Sequence, residues 1–200
     1  MTTGQIKVWD PLVRIFHWTL VTAFFIAYFT EDDLMWLHEP AGYVVLGLVV
    51  FRVVWGFVGP RYARFSDFVR GPAVVVQYLK TFFKRDAPRF IGHNPAGGMM
   101  VVILLVMLAL TALTGIQADE AREGQQASNA IKVIPSAHAD DDHKAGEQGE
   151  HEDEFWEEAH EVTANLTLIL IILHISAVFA HMIIHGENLV RAMLIGEKEE

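Results

Sequence analysis

The sequence predicts an all-α membrane protein: a four-helix transmembrane bundle, N-in/C-in, with a cytoplasmic interfacial helix and a long acidic periplasmic loop. Three observations carry this. Of the 200 residues, 52% are hydrophobic and only 20% charged, and mean hydropathy is positive at +0.28. That is the composition of a small polytopic membrane protein rather than a soluble domain. The chain also holds four apolar runs of the length, about 20 residues, that a bilayer demands. Finally, 12 of its 15 Lys and Arg residues lie in the N-terminal segment, at Arg52, in the 59–93 connection and in the C-terminal tail, whereas the 117–161 connection holds three basic residues against 14 acids. By the positive-inside bias, both termini and the 59–93 connection are cytoplasmic and the acidic connections face out.

Residues 1–200 read as one domain with spans at about 13–30, 40–58, 95–116 and 160–185. The first 16 residues lack the charged, then apolar, then small pattern of a cleaved signal. Span one carries His17 in its first turns beside Trp18, an interfacial anchor type. Glu31–Glu39 is a tight acidic turn holding His38, and Pro40, harmless in a first helical turn, opens span two. Arg52 follows His38 by 14 residues, which puts it on the same helix face about 21 Å deeper, where a charge needs a partner. In the basic 59–93 connection, Pro72–Phe83 reads as a short amphipathic helix in the membrane interface, its basic residues beside Tyr78, Phe82 and Phe83. Asn94-Pro95 starts span three, whose small residues permit close packing. Residues 117–158 form a flexible acidic periplasmic loop, with Ala139–Glu154 expected to be disordered. Phe155 and Trp156 restore order before span four.

Span four holds the chemistry. Histidine inside a span is expensive, because lipid satisfies neither ring nitrogen. His160 and His174 are 14 residues apart, on one helix face and about 21 Å apart along the axis, one near each surface of the hydrocarbon. With the predicted topology, His17 lies level with His174 at the inner surface, and His38 level with His160 at the outer. Each pair is able to clamp an iron axially on both sides, the six-coordinate arrangement suited to electron transfer because it leaves no open site. A single histidine at a helix end is ordinarily an interfacial or hydrogen-bonded residue. Four in two level pairs across three helices point to ligands. The absence of cysteine excludes iron–sulfur clusters and covalent c-type haem in this chain. Arg52 and Arg14 fall near the inner pair, where haem propionates want cations; both also read as caps of span ends.

These residues resemble the bacterial cytochrome b561 family and its relatives, the di-haem b-type membrane subunits of nickel–iron hydrogenases and formate dehydrogenases. The resemblance rests on Arg14-x-x-His17-Trp18, on His38-x3-Gly42 with Arg52, on Gly92-His93-Asn94-Pro95-Ala96-Gly97-Gly98, and on Trp156-x3-His160-Glu161-x3-Asn165-x8-His174. It covers the chain except about Asp119–Asp153. It implies two non-covalent haems b, with His17 and His174 as axial ligands on the cytoplasmic side and His38 and His160 on the periplasmic side. Pro40 and the long acidic loop depart from the core family pattern, and the loop points to a specific partner.

The implied role is transmembrane electron transfer in a bacterial inner membrane, between a periplasmic redox protein and the quinone pool. The acidic outer face favours a basic c-type cytochrome as that partner. Whether the chain is itself a quinone oxidoreductase stays open, as does a homodimer; nucleic acid is not an expected partner. The alternatives are a superoxide:quinone oxidoreductase, a cytochrome b anchor subunit of a hydrogenase-like complex, and a metal transporter using membrane histidines. His181 and His185, at helical spacing after His174, suit a quinone headgroup or a proton relay, or are interfacial polar residues. His93 reads as structural, and His138, His143 and His151 as part of a solvated acidic loop.

Overall fold

The computed structural model describes the backbone of residues 5–31, 34–82, 90–132 and 142–199, and side chains at 7–31, 34–82, 90–124, 126–127 and 154–198. Four helices carry the apolar runs: α1 (Pro11–Phe29), α2 (Met35–Val58), α5 (Pro95–Lys132) and α6 (Asp142–His185). The stretches long and apolar enough to cross a membrane are Pro11–Phe29, Met35–Val58, Pro95–Gly124 and Glu154–His185. Asp10 caps α1, its carboxylate accepting from the Leu12 and Val13 N–H groups, and Pro11 occupies the first turn, where its missing donor is not needed.

Helix α2 corrects one expectation. It begins at Met35, so Pro40 lies inside the helix rather than at its start. The proline comes only a turn and a half from an exposed helix end, where one lost backbone bond is tolerated. His38 is thereby part of α2 and shares its orientation.

The bundle core is formed by Phe16, Phe24, Val45, Val49, Leu105 and Leu108, with Leu168 and Ile171 packed against it. Helices α5 and α6 meet through hydroxyls: Thr111 Oγ1 lies 3.0 Å from Thr167 Oγ1, and Thr114 Oγ1 3.1 Å from Thr163 Oγ1. Thr167 is completely buried. Small polar residues of this kind let membrane helices approach closely and bond across the seam. Large apolar residues such as Ile15, Phe57, Ile169 and Ile183 face outward, as lipid contact requires.

Between α2 and α5 run a 3₁₀ turn (Arg61–Ala63), α3 (Phe65–Phe68) and α4 (Pro72–Thr81), the expected amphipathic helix; Phe83, the last residue of the sequence reading, lies outside the described residues. Its Val75 and Tyr78 are buried while Val74, Val76 and Leu79 are exposed. After α6 come α7 (Leu189–Ile195) and β2 (Glu197–Glu199), which pairs antiparallel with β1 (Gln5–Lys7), Ile6 opposite Lys198. The two chain ends therefore meet on one side of the bundle. Gly196 makes the join: it closes α7 at φ +88°, and its carbonyl accepts from the Val8 and Trp9 N–H groups. A Cβ there would stand 2.8 Å from the Trp9 carbonyl oxygen.

The 117–158 stretch, expected as a loop, is helical through Lys132 and again from Asp142. Its Ala, Glu, Gln and Lys residues are strong helix formers, so both helices run on past the apolar stretches. The expectation of disorder at 139–141, and His138, lie outside the described residues.

Candidate functional site

At the end of the bundle away from β1 and β2, α2 presents His38 and α6 presents His160, their ring centroids 5.9 Å apart and their planes at 88°. His38 Nδ1 lies 2.9 Å from the Ala27 carbonyl oxygen of α1, and His160 Nδ1 lies 2.9 Å from the Thr111 carbonyl oxygen of α5. A carbonyl only accepts, so each Nδ1 carries the proton and donates it. Each Nε2 is then an unprotonated lone pair, the tautomer that a metal-ligating histidine with a carbonyl in its outer shell adopts. An iron held between two such nitrogens, at metal–imidazole bonds of about 2 Å, fits ring centroids about 6 Å apart.

The helix seam sets this geometry. Gly115 of α5 lies against the His160 ring, and a Cβ on it would stand 2.9 Å from Cε1 and 3.1 Å from Nδ1. Around the pair opens a cavity of about 610 Å³, lined on its walls by small residues including Gly42, Ala112 and Gly115, within the range of cofactor sites. The space beside Gly42 is open, with nothing within 4 Å of where a Cβ would sit. Seven carboxylates line the mouth, among them Glu31, Glu39, Asp119 and Glu157, with Arg122 as the cation in the lining. Arg122 pairs with Glu157 at 3.4 Å, both partners well exposed.

The opposite end carries the reverse charge. His17 of α1 is near enough to His174 of α6 for the two to interact electrostatically, and His17 Nδ1 is buried without a partner. Arg52 is 2% exposed. Its guanidinium lies over Phe65 at 5.2 Å and Phe68 at 5.8 Å from the ring centroids, and Nη1 has no hydrogen-bond partner. A buried cation with an orphaned donor fits an anionic group such as a propionate. Arg14 donates from Nη2 to the Leu194 carbonyl, tying α1 to α7, and its Nε is buried without a partner.

His93, read from the sequence as structural, belongs to this end as well. It is enclosed between Trp9 and Phe68, each 4.5 Å away by ring centroid. Burial, and then the nearby Arg52 guanidinium, push its pKa down to about 3, so it stays neutral at ordinary pH. The GHNPAGG run was visible in the sequence; the aromatic enclosure, made by residues far along the chain, was not.

At the foot of α6, His181 and His185 lie with ring centroids 4.5 Å apart. Glu187 Oε2 is 3.7 Å from His181 Nε2 and 3.1 Å from Lys198 Nζ of β2. The predicted residues thus gather at two depths, His38 with His160 and His17 with His174, with His181 and His185 beyond the inner pair. Among the described residues no group of three or more His, Asp or Glu side chains is arranged to hold a metal ion. A pair of axial imidazoles, by contrast, suits an iron whose equatorial ligands come with the cofactor.

A family model described as prokaryotic cytochrome b561 matches residues 8–196. No curated protein and no solved structure matches the chain.

Proposed function

The chain belongs to the prokaryotic cytochrome b561 family, a bacterial membrane family that transfers electrons through haem b, and from that premise we propose that it carries electrons across the inner membrane through two haems. His38 and His160 would hold the iron of the outer haem, and His17 and His174 that of the inner. Arg52 is the buried cation for the inner propionates, with Arg14 beside it. The observation that carries this reading is the outer pair: two imidazoles 5.9 Å apart, each with Nδ1 committed to a carbonyl and Nε2 free.

The end that holds β1 and β2 is cytoplasmic, in keeping with the placement of 12 of the 15 basic residues. The periplasmic partner is a basic redox protein, of c-type cytochrome character, steered to the carboxylate-rich mouth. The cytoplasmic-side exchange is with membrane quinone near His181 and His185. The seven carboxylates at the outer mouth weigh against the superoxide-oxidising alternative, because they repel an anion.

The test is a reduced-minus-oxidised visible spectrum with pyridine haemochrome quantitation on the purified protein. Two haems b per chain are expected; none, or a single haem, contradicts the proposal.

A further inference from the structure

Both histidines of the outer pair donate to a carbonyl that a threonine three residues farther on also reaches. His160 Nδ1 donates to the Thr111 carbonyl at 2.9 Å, and the Thr114 hydroxyl lies 3.0 Å from the same oxygen and 3.4 Å from Nδ1 itself. His38 Nδ1 donates to the Ala27 carbonyl at 2.9 Å, and the Thr30 hydroxyl lies 3.3 Å from that oxygen. The same arrangement thus occurs on α5 and at the end of α1. At the inner pair, by contrast, His17 Nδ1 has no hydrogen-bond partner.

Each of these oxygens has more donors than lone pairs. A carbonyl offers two. Inside α5 the Thr111 carbonyl takes the backbone N–H four residues on, as a mid-helix carbonyl does, which leaves one lone pair for His160 and Thr114 to share. The Ala27 carbonyl takes the Thr30 N–H at 3.2 Å, which leaves one for His38 and the Thr30 hydroxyl. A hydroxyl carries a single proton, and each threonine has a second place to put it: Thr114 reaches the Leu110 carbonyl at 2.9 Å, and Thr30 the Ile26 carbonyl at 2.7 Å. By distance Thr114 divides its proton almost evenly, whereas Thr30 favours Ile26. Thr114 is therefore the stronger competitor. Thr163 of α6 stands 3.1 Å from Thr114 Oγ1 and donates to the Ala159 or the His160 carbonyl, which ties this hydroxyl to the turn that carries the histidine.

We propose that Thr114 and Thr30 are positioning residues that set the basicity of the outer histidines, by competing with each Nδ1–H for the carbonyl it donates to. An imidazole that donates Nδ1–H to a carbonyl is the more basic ligand at Nε2, and a more basic ligand favours ferric iron. A hydroxyl that shares the carbonyl weakens the bond from Nδ1, so the imidazole stays less basic and the outer site takes up an electron more readily. No proton leaves its atom in this exchange; the hydroxyls only turn between acceptors. The proposal rests on the reading of His38 and His160 as haem ligands and adds to it the residues that control their strength.

The experiment is a potentiometric titration of the purified haem-loaded protein, followed by visible spectroscopy. Haem content comes first: a wild type without two haems, or a His160→Ala variant that keeps both, sinks the ligand reading itself, whatever the threonines do. The component lost in His160→Ala identifies the outer haem. Valine keeps threonine's branched shape without its hydroxyl. At the potential where the wild-type outer haem is half reduced, Thr114→Val should raise its ratio of oxidised to reduced form about threefold, a midpoint about 28 mV lower at 59 mV per tenfold for one electron. Thr30→Val should raise the ratio about twofold, or about 18 mV by the same conversion, and Thr114→Ser should restore the wild-type value. Thr111→Val is the control for packing, since that hydroxyl bonds the Met107 carbonyl and Thr167 in the same seam without touching His160; it should leave the outer midpoint in place, and the inner midpoint should hold in every variant. The proposal is overturned if the outer midpoint stays put or rises in the valine variants at 114 and 30, if Thr111→Val lowers it as far as Thr114→Val does, or if Thr114→Ser fails to restore it. Thr30 lies on another helix, so a Thr114→Val protein that fails to load haem leaves the decision to Thr30→Val.

Discussion

The two ends of the bundle hold the same kind of histidine pair in opposite surroundings. The outer pair opens into a cavity of about 610 Å³ with seven carboxylates in its lining, and both its imidazoles are fixed by backbone carbonyls. The inner pair sits with the buried Arg52, the neutral His93 and, a little farther out, Lys198. Carboxylates favour the oxidised, more positive iron, and cations favour the reduced one. The two ends of the bundle therefore differ in charge, and on the proposed reading a haem at the Arg52 end is expected to have the higher potential. The end at His38 and His160 is open and acidic, whereas the end at His17 and His174 carries a buried cation.

The sharpest way to break this contrast is steric. Gly115→Leu drives a side chain into the His160 ring, where even a Cβ would stand 2.9 Å from Cε1. It should abolish the outer haem while leaving the inner haem's spectrum in place; loss of both in haemochrome quantitation would mean that the ends are not independent.

A second contrast lies in acid sensitivity, which belongs to the inner end through His93. Its pKa is about 3 in the folded protein and about 6.5 in an unfolded chain. Below pH 6.5 the unfolded state takes up the proton first, so stability falls as pH falls through this window. The loss by pH 4.5 is on the order of 2–3 kcal/mol, which His93→Gln should remove. Thermal unfolding in detergent at pH 7 and pH 4.5 measures it, and an unchanged pH difference in the variant would contradict the assignment.

Smaller effects test the charge difference itself. Arg52→Gln removes the inner buried cation and should lower the inner haem's midpoint potential by on the order of 50 mV, from about 1–2 kcal/mol of charge interaction. Glu157→Gln combined with Glu158→Gln, at the exposed mouth, should raise the outer potential by only about 10–20 mV, a shift that fades as salt is added. Equal response of both haems to either change, in a potentiometric titration, would erase the distinction between the ends.

Much of this was legible in the sequence, for identifiable reasons. Apolar runs of membrane-spanning length announced all four long apolar helices, and the 14-residue interval from His160 to His174 announced two levels along α6, because both signals are local and periodic. Features built from distant residues were not legible. The β1–β2 pair is three residues long, and Glu197-Lys198-Glu199 has no apolar alternation to mark it. Enclosure of His93 by Trp9 and Phe68, and the meeting of Tyr78, His181, Glu187 and Lys198, depend on how helices pack rather than on spacing along any one of them. The start of α2 at Met35 was hidden because Pro40 resembles a first-turn residue. Extension of α5 to Lys132 went unseen because acidity there outweighed the helix-forming residues that carry it.

The level pairing of the histidines is the claim on which the rest depends, and haem quantitation with difference spectra on four single variants tests it directly. His38→Ala and His160→Ala should lose the same spectral component, His17→Ala and His174→Ala the other, each variant keeping one haem b per chain. If His17→Ala and His38→Ala lose the same component, or if any of the four keeps both haems, the pairing across α1, α2 and α6 is wrong.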